Sequence, residues 1–349
     1  MRLKKRISFI DIAKAIAIFS IVICHAIVHS NHCGKLFTII SFFDVPLFFI
    51  ISGFLRKKPE NKKVFLIKKA TRLMLPYIIW SFVFLIPYYI AGKAIGDSIG
   101  EETSFNLKSS IIAIIWGSGK DYALKQNSPL WFLPALFSTE ILFEILLGIF
   151  KKNNKKIKLF LAVIMTAISY FSTKLTFTLP LGINSALTLG IFYYAGTLIK
   201  EKYEYFFNRK NAHLFYAAIA ILGLVMASLS KKPVVWIDYN YVNYGYMLLI
   251  ALLISISILY LSYKIQKQMI LENVGKRTLE ILIFHKIPIV AAQTMIPIVK
   301  HNLKDSNIAI ELSLGISISI IAIATSMLLG HIVTQIMPQL LGKTKESKK

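Results

Sequence analysis

The sequence contains few cysteines and few acidic residues, and each shortage removes a class of interpretation. Its two cysteines, Cys24 and Cys33, have no metal-binding spacing and are too few for a disulfide framework, so we expect two free thiols. Only 17 acidic residues accompany 41 lysines and arginines, and the formal net charge is +24. A large positive charge can indicate nucleic-acid binding, but the chain has no basic motifs interleaved with aromatic residues. We therefore expect no nucleic-acid partner.

The chain also lacks heptads, tandem repeats and any separate soluble domain. Hydrophobic residues make up 56% of it and fall mainly in stretches of about 20 residues, long enough to cross about 30 Å of hydrocarbon. We predict an all-α, polytopic integral membrane protein with about ten transmembrane helices. Residues 107–117 are too short to span and are expected to lie in the interface or to re-enter. The predicted spans cover residues 8–29, 36–55, 71–91, 129–150, 158–178, 182–199, 212–229, 242–263, 278–299 and 308–337.

The basic residues are concentrated on one side of the predicted membrane. Most of the 41 lie in the two tails and in every second loop, beginning with residues 56–72. Positive residues favour the cytoplasmic side, so both termini are predicted to be cytoplasmic. The basic start of the first span is similar to a signal peptide, but Asp11 and Lys14 interrupt the apolar run and more membrane sequence follows. We therefore expect this span to be retained.

Two ionisable residues of the first span, Lys14 and His25, are the main candidates for chemistry, because such groups are costly in hydrocarbon. Eleven residues at about 100° each place them on one helix face, about 16 Å apart along the axis. Asp11 lies on the same stripe and is expected to pair with Lys14. Histidine suits proton transfer with a hydroxyl, although a packing role is the alternative. His29 lies one turn beyond His25, but no carboxylate follows at metal-binding spacing, so no metal is expected.

Ionisable residues in several other spans imply a polar interior cavity. Arg72 stands at the mouth of the third span, where its guanidinium has two uses: to grip a phosphate or to snorkel to lipid phosphate. Trp131 opens the fourth span, as a substrate contact or as an aromatic-belt anchor. The remaining candidates are Lys69 near Arg72, Asp44 in the second span, Glu140 and Glu144 in the fourth, and Glu280, His285 and Lys286 in the ninth.

In chain order these segments resemble acyltransferase family 3, the integral-membrane O-acyltransferases, and especially its fucose-4-O-acetylase-like branch. The first span of that family has a basic residue, ten intervening positions and a histidine, which here are Lys14 and His25. The resemblance continues through Pro46–Phe54, Arg72–Tyr77, Leu130–Leu136 and Val274–His285, and so covers almost the whole membrane domain.

The chain departs from the family pattern at three positions. Many relatives have Arg where Lys14 stands, and lysine keeps the charge but not the bidentate fork. The branch often has His where Asp44 stands. The Trp-Ser-Leu-type motif of O-antigen-acylating relatives, with its Glu, is replaced by Trp131–Pro134. The resemblance therefore assigns no role to Asp44 or Glu140.

The resemblance implies transfer of an acetyl or other short acyl group from cytoplasmic acyl-CoA to a hydroxyl of a sugar, surface polysaccharide or glycolipid. Acetyl-CoA is the expected donor. His25 then acts as general base or relays the acyl group, and Lys14, partnered by Asp11, meets the anionic end or the thioester arm of the donor. Arg72 and Lys69 are expected to join Lys14 in binding the donor. The candidates for substrate binding are Trp131, Glu140 and His285.

The expected organisation is a transmembrane acyltransferase domain over residues 1–342 and a basic cytoplasmic tail over 343–349, in a multi-pass protein of the bacterial cytoplasmic membrane. Its expected partners are acyl-CoA, a glycan or glycolipid acceptor and the lipid bilayer. The alternative is a secondary transporter or flippase for a sugar or lipid-linked glycan, but we find no paired, Gly/Pro-broken helices in two related halves. A sensory or scaffold membrane protein needs no aligned base and cation.

Overall fold

The computed structural model describes residues 7–28, 30, 32–90, 106–119, 124–149, 155–237, 243–300 and 307–343, and these form helices and turns with no strand among them. His29, the rest of the predicted tail after Lys343 and parts of the polar region before Ser128 lie outside these residues. The helices are α1 (Ser8–Ile27), α2 (Gly34–Ser41), α3 (Asp44–Leu55), α4 (Lys62–Lys69), α5 (Leu75–Val83), α6 (Leu107–Trp116), α7 (Phe132–Ile149), α8 (Lys155–Ser172), α9 (Ile183–Phe207), α10 (Ala212–Leu229), α11 (Tyr244–Ile265), α12 (Met269–Lys276), α13 (Thr278–Phe284), α14 (Lys286–Lys300) and α15 (Ile308–Ile336).

Within the described residues, eight helical segments are long and apolar enough to cross a membrane, and each coincides with a predicted span. The two other predicted spans are also helical. α8 corresponds to the fifth and begins with three lysines, while the ninth is divided at His285 into α13 and α14. The all-α, polytopic membrane architecture is therefore confirmed.

The third span begins earlier than the sequence predicts, at Lys62 instead of residue 71. The side chain of Asn61 accepts a hydrogen bond from the backbone N–H of Val64 at 3.1 Å and so caps the start of α4. A π-helical turn, Ala70–Met74, then joins α4 to α5. Apolarity alone did not predict this start, because α4 is rich in lysine.

Glycines bring two pairs of helices into backbone contact. A Cβ atom on Gly53 of α3 would lie 1.8 Å from the carbonyl oxygen of Tyr193 in α9, so only glycine allows this approach. Gly275 of α12 meets the carbonyl oxygen of Asp11 in α1 in the same way, at 1.8 Å. The second contact fixes the end of α12, and with it Lys276, beside the first span.

The polar region before the fourth span is tied to the membrane helices. α6 packs on α5, where the Tyr77 hydroxyl donates to the carbonyl oxygen of Ile114 at 2.8 Å. Farther along, the side-chain amide of Asn127 donates to the carbonyl oxygen of Ile283 at 2.9 Å. These bonds place the 3-10 turn Ser128–Trp131, which precedes α7, next to the break in the ninth span.

Candidate active site

α1 lies at the centre of the bundle, which explains how it carries ionisable side chains. It contacts α2, α3 and α11 to α15, and Asp11 is buried with 2% of its surface exposed. Lys14 lines a cavity, and the ring of His25 lies beside that of His285. Both residues therefore face protein interior, as their cost in hydrocarbon requires.

The cavity beside Lys14 has a volume of about 500 Å³, and the charged residues of its lining are all basic. Four basic residues line it together with apolar side chains, and no acidic residue is among the described residues of its wall. They come from α1, the π-helical turn, α12 and the segment after α15, and they are Lys14, Arg72, Lys276 and Lys343. Convergent cations around a concave surface attract an anionic ligand.

Each of the three lysines of the cavity is held by a carboxylate that does not itself line the wall. The pairs, measured between nitrogen and oxygen, are Lys14–Asp11 at 3.2 Å, Lys276–Glu272 at 3.5 Å and Lys343–Glu280 at 2.5 Å. The pairing of Asp11 with Lys14 was predicted and is confirmed. A hydrogen bond from Ser8, helped by Lys276, keeps the pKa of Glu272 below its usual range, so this carboxylate is charged at neutral pH.

Arg72 differs from the lysines because its guanidinium has no hydrogen bond or ion pair with the described residues. It sits in the π-helical turn Ala70–Met74, is exposed and lines the cavity. Such turns often occur at functional sites. A guanidinium without a protein carboxylate keeps its planar fork available for the oxygens of a phosphate.

Lys69 and Glu140, predicted in separate roles, form one ion pair. Oε1 of Glu140 accepts hydrogen bonds from Lys69 Nζ at 2.6 Å and from Ser52 Oγ at 2.9 Å. Ser52 lines the cavity, whereas Lys69 and Glu140 lie behind it. Glu144, one turn further along α7, pairs with Arg56. The two pairs join α7 to the second and third spans on the predicted cytoplasmic side.

The far end of the cavity stops short of the histidines. Its wall reaches Ile21, about 10 Å from Lys14 along α1, and Leu282 on α13. His25 lies one further turn along α1, and its ring centroid is 5.3 Å from that of His285. The predicted catalytic histidine and a predicted substrate-binding histidine therefore form a pair just beyond the cavity.

The backbone determines how the ring of His285 is oriented. Its Nδ1 lies 2.8 Å from the carbonyl oxygen of Ile281 and 3.1 Å from that of Leu282. Because carbonyl oxygens only accept hydrogen bonds, we assign the proton to Nδ1, which leaves a lone pair on Nε2 in the neutral ring. Nε2 is buried and has no hydrogen-bond partner among the described residues. His285 therefore has an unprotonated ring nitrogen, and its ring lies beside that of His25.

Two further residues surround the histidine pair. Lys286 donates to Ser128 Oγ at 3.2 Å, and Gln293 donates from its side chain to the carbonyl oxygen of His25 at 3.1 Å. Trp131 ends the 3-10 turn that contains Ser128 and is 9% exposed. Trp131 does not line the cavity, but the next residue, Phe132, does.

Asp44 is not among the residues that line the cavity. It starts α3, where its Oδ1 accepts a hydrogen bond from the backbone N–H of Val45 at 2.7 Å, and it is 8% exposed. The two cysteines are buried free thiols, as expected. No cluster of three or more metal-binding side chains occurs in the part of the chain that the structure describes.

Sequence reasoning missed two lysines of the cavity. Lys276 lies within the run Val274–His285, and the glycine before it was the available signal for a close helix contact. Lys343 was assigned to a cytoplasmic tail, and nothing in the sequence around it indicates that it returns to the membrane domain.

An all-α bundle whose ionisable side chains converge on a cavity is typical of polytopic membrane proteins with a functional site in the membrane domain. Residues 7–331 match the family model of the acyltransferase domain of acyltransferase family 3. Because the match covers nearly the whole chain, the chain belongs to this family of membrane acyltransferases. Neither the curated proteins nor the solved structures yielded a match.

Proposed function

We propose that the protein transfers an acetyl or other short acyl group from cytoplasmic acyl-CoA to a hydroxyl of a sugar on a surface polysaccharide or glycolipid of the bacterial cell envelope. The observation that carries this proposal is the cavity itself, with basic residues at one end and a histidine pair just beyond the other. An acyl-CoA has the matching form, with phosphates at one end and a thioester at the end of a long apolar arm.

The basic end of the cavity suits the phosphates of the donor. Arg72 contributes a guanidinium that no described carboxylate neutralises, and Lys14 and Lys276 add charges held in place by ion pairs. From Lys14 to His25 the helix rises about 16 Å, a distance of the same order as a pantetheine arm. The phosphates can therefore stay among the cations while the thioester reaches the histidines.

The histidine end suits proton transfer from the acceptor. A histidine of the pair removes the proton of the sugar hydroxyl as its oxygen bonds to the thioester carbonyl carbon. The carbon–sulfur bond then breaks, and the departing CoA sulfur takes a proton. We assign the base role to His25, with the unprotonated Nε2 of His285 as its partner in holding or passing the proton. Direct transfer needs no acyl-enzyme, although His25 also suits an acyl relay.

The remaining candidates support these two ends. Trp131 follows Ser128, which holds Lys286 next to the histidines, so we assign Trp131 to the acceptor side. Lys69 and Glu140 brace the wall through Ser52 and act on the donor by shaping its cavity.

The test is consumption of acetyl-CoA, and acetyl transfer to envelope glycans, by the full chain in membranes. We expect turnover by the wild type, its loss in His25→Ala and a raised KM for acetyl-CoA in Lys14→Ala, with His213→Ala as the matched control because that histidine is exposed on α10. A transporter or flippase would leave acetyl-CoA intact. Wild-type turnover in both variants, at normal membrane levels, would remove the assignment.

A further inference from the structure

We propose that the C-terminal segment Pro338–Lys343 forms a wall of the donor cavity and that Lys343 binds the anionic end of the donor. The inference rests on the proposed function, because it concerns the same donor. Leu341, Gly342 and Lys343 all line the cavity. The family model ends at residue 331, so this segment lies outside the stretch on which family membership depends.

The segment is anchored against the third span. After α15 the chain makes a 3-10 turn, Pro338–Leu341, in which Pro338 and Leu341 are buried. The indole N–H of Trp80 donates to the carbonyl oxygen of Leu340 at 2.9 Å. Buried side chains and a side-chain bond to the backbone together hold the end of the described chain inside the protein.

Gly342 places the segment directly on the turn that carries Arg72. A Cβ atom at position 342 would lie 2.8 Å from the Cα of Arg72 and 2.8 Å from the carbonyl oxygen of Thr71. Gly342 also has φ +62°, a conformation that favours glycine. Both conditions require glycine here, and the contact joins Lys343 to the position of the cavity's arginine.

The ammonium group of Lys343 is held by two hydrogen bonds and has a third N–H group. Its Nζ lies 2.5 Å from Oε1 of Glu280 and 2.8 Å from Oγ1 of Thr334. An ammonium group has three N–H donors, so one is left after these two bonds. Glu280 is itself fixed, since a Cβ on Gly330 would lie 2.6 Å from it, and it is 4% exposed. The result is a positioned cation at the cavity wall.

A clamp that only neutralises Glu280 would use the same contacts, so the test must separate binding from anchoring. We compare the full-length wild type with Lys343→Gln and Lys343→Arg, and use Lys267→Gln as control because Lys267 is an exposed lysine of the same predicted side. The donors are acetyl-CoA and S-acetylpantetheine, which lacks the phosphates.

If Lys343 binds the donor, Lys343→Gln should raise the KM for acetyl-CoA about tenfold, because one charge-assisted contact is lost. Its kcat should stay within about twofold of the wild-type value. The variant should equal wild type with S-acetylpantetheine, and Lys343→Arg should restore most of the affinity. Glu280→Gln keeps the cation and an amide oxygen that can accept from it, so its KM should rise much less than that of Lys343→Gln.

A second variant tests the segment without removing the lysine. Gly342→Ala displaces the backbone from Arg72 and should raise the KM for acetyl-CoA while leaving S-acetylpantetheine turnover unchanged. An unchanged KM in both Lys343→Gln and Gly342→Ala would overturn the inference while the proposed function stands. An equal rise in KM for both donors, or an equal rise in Glu280→Gln, would show that Lys343 only neutralises Glu280 and would overturn the inference. A wild type that leaves acetyl-CoA intact would overturn both.

Discussion

The two ends of the cavity hold their ionisable groups in different ways. At the basic end, three lysines are each paired with a carboxylate behind the wall, and a guanidinium is left without one among the described residues. Just beyond the other end, two backbone carbonyls engage one nitrogen of His285, and the other nitrogen is buried without a described partner. The first arrangement presents fixed positive charge and the second presents a lone pair.

This difference indicates that the basic residues and the histidine pair have different tasks. Ion pairs reduce the cost of burying the lysines of the cavity and hold their charges in place. A neutral imidazole whose Nδ1 is already engaged can act only through Nε2, which suits a proton acceptor. Changes at the basic end should therefore affect donor affinity, and changes at the histidine pair should affect the chemical step.

After the loss of turnover expected in His25→Ala, the largest expected effect is at His285, the partner of that base. His285→Asn keeps an N–H that can donate to the carbonyl of Ile281 but removes Nε2, so we expect normal membrane insertion and a fall in kcat of about 100-fold, the size of a general-base contribution. The KM for acetyl-CoA should change little. Steady-state kinetics of the membrane-inserted variant measures this, and near-wild-type kcat would show that Nε2 has no part in the reaction.

A smaller effect is expected at Arg72. Arg72→Gln should raise the KM for acetyl-CoA about tenfold through loss of a charge-assisted contact, and Arg72→Lys should recover only part of it because lysine lacks the planar fork. Neither should alter kcat by more than about twofold. Arg209→Gln is the matched control, since Arg209 is an exposed arginine that stacks on Tyr205. A fall in kcat with unchanged KM would contradict the separation of the two ends.

The smallest effect is expected from salt. Raising ionic strength from about 0.05 to about 0.5 M shortens the screening length below about 10 Å and should weaken attraction of the donor to the partly exposed cations. The KM for acetyl-CoA should rise a few-fold, while kcat and the KM for S-acetylpantetheine stay constant. The comparison is made with uncharged osmolyte at equal osmolarity, and equal salt effects on both donors would argue against charge recognition.

Much of the fold was predictable because membrane spans are determined by local apolarity. Eight of the predicted spans correspond to helices of sufficient length and hydropathy. The early start at Lys62 was not predicted, because α4 is held by the Asn61 cap and not by apolar residues. The break of the ninth span at His285 was not predicted either, and it lies next to the hydrogen bond between Asn127 and Ile283, which are 156 positions apart.

The candidate site was predictable only along α1. Helical periodicity places Asp11, Lys14 and His25 on one face, and the Asp11–Lys14 pair is confirmed. The pairing of Lys69 with Glu140 joins residues 71 positions apart, and no local pattern indicates it.

The amino-acid sequence by itself determined that this is an all-α membrane protein with a charged and basic face on its first helix, because hydropathy and helical period are local properties. Tertiary structure alone decided which groups meet that face. It brought His285 to His25, set Arg72 in a π-helical turn and returned Lys343 to the cavity, since each contact depends on backbone approaches between segments far apart in the chain.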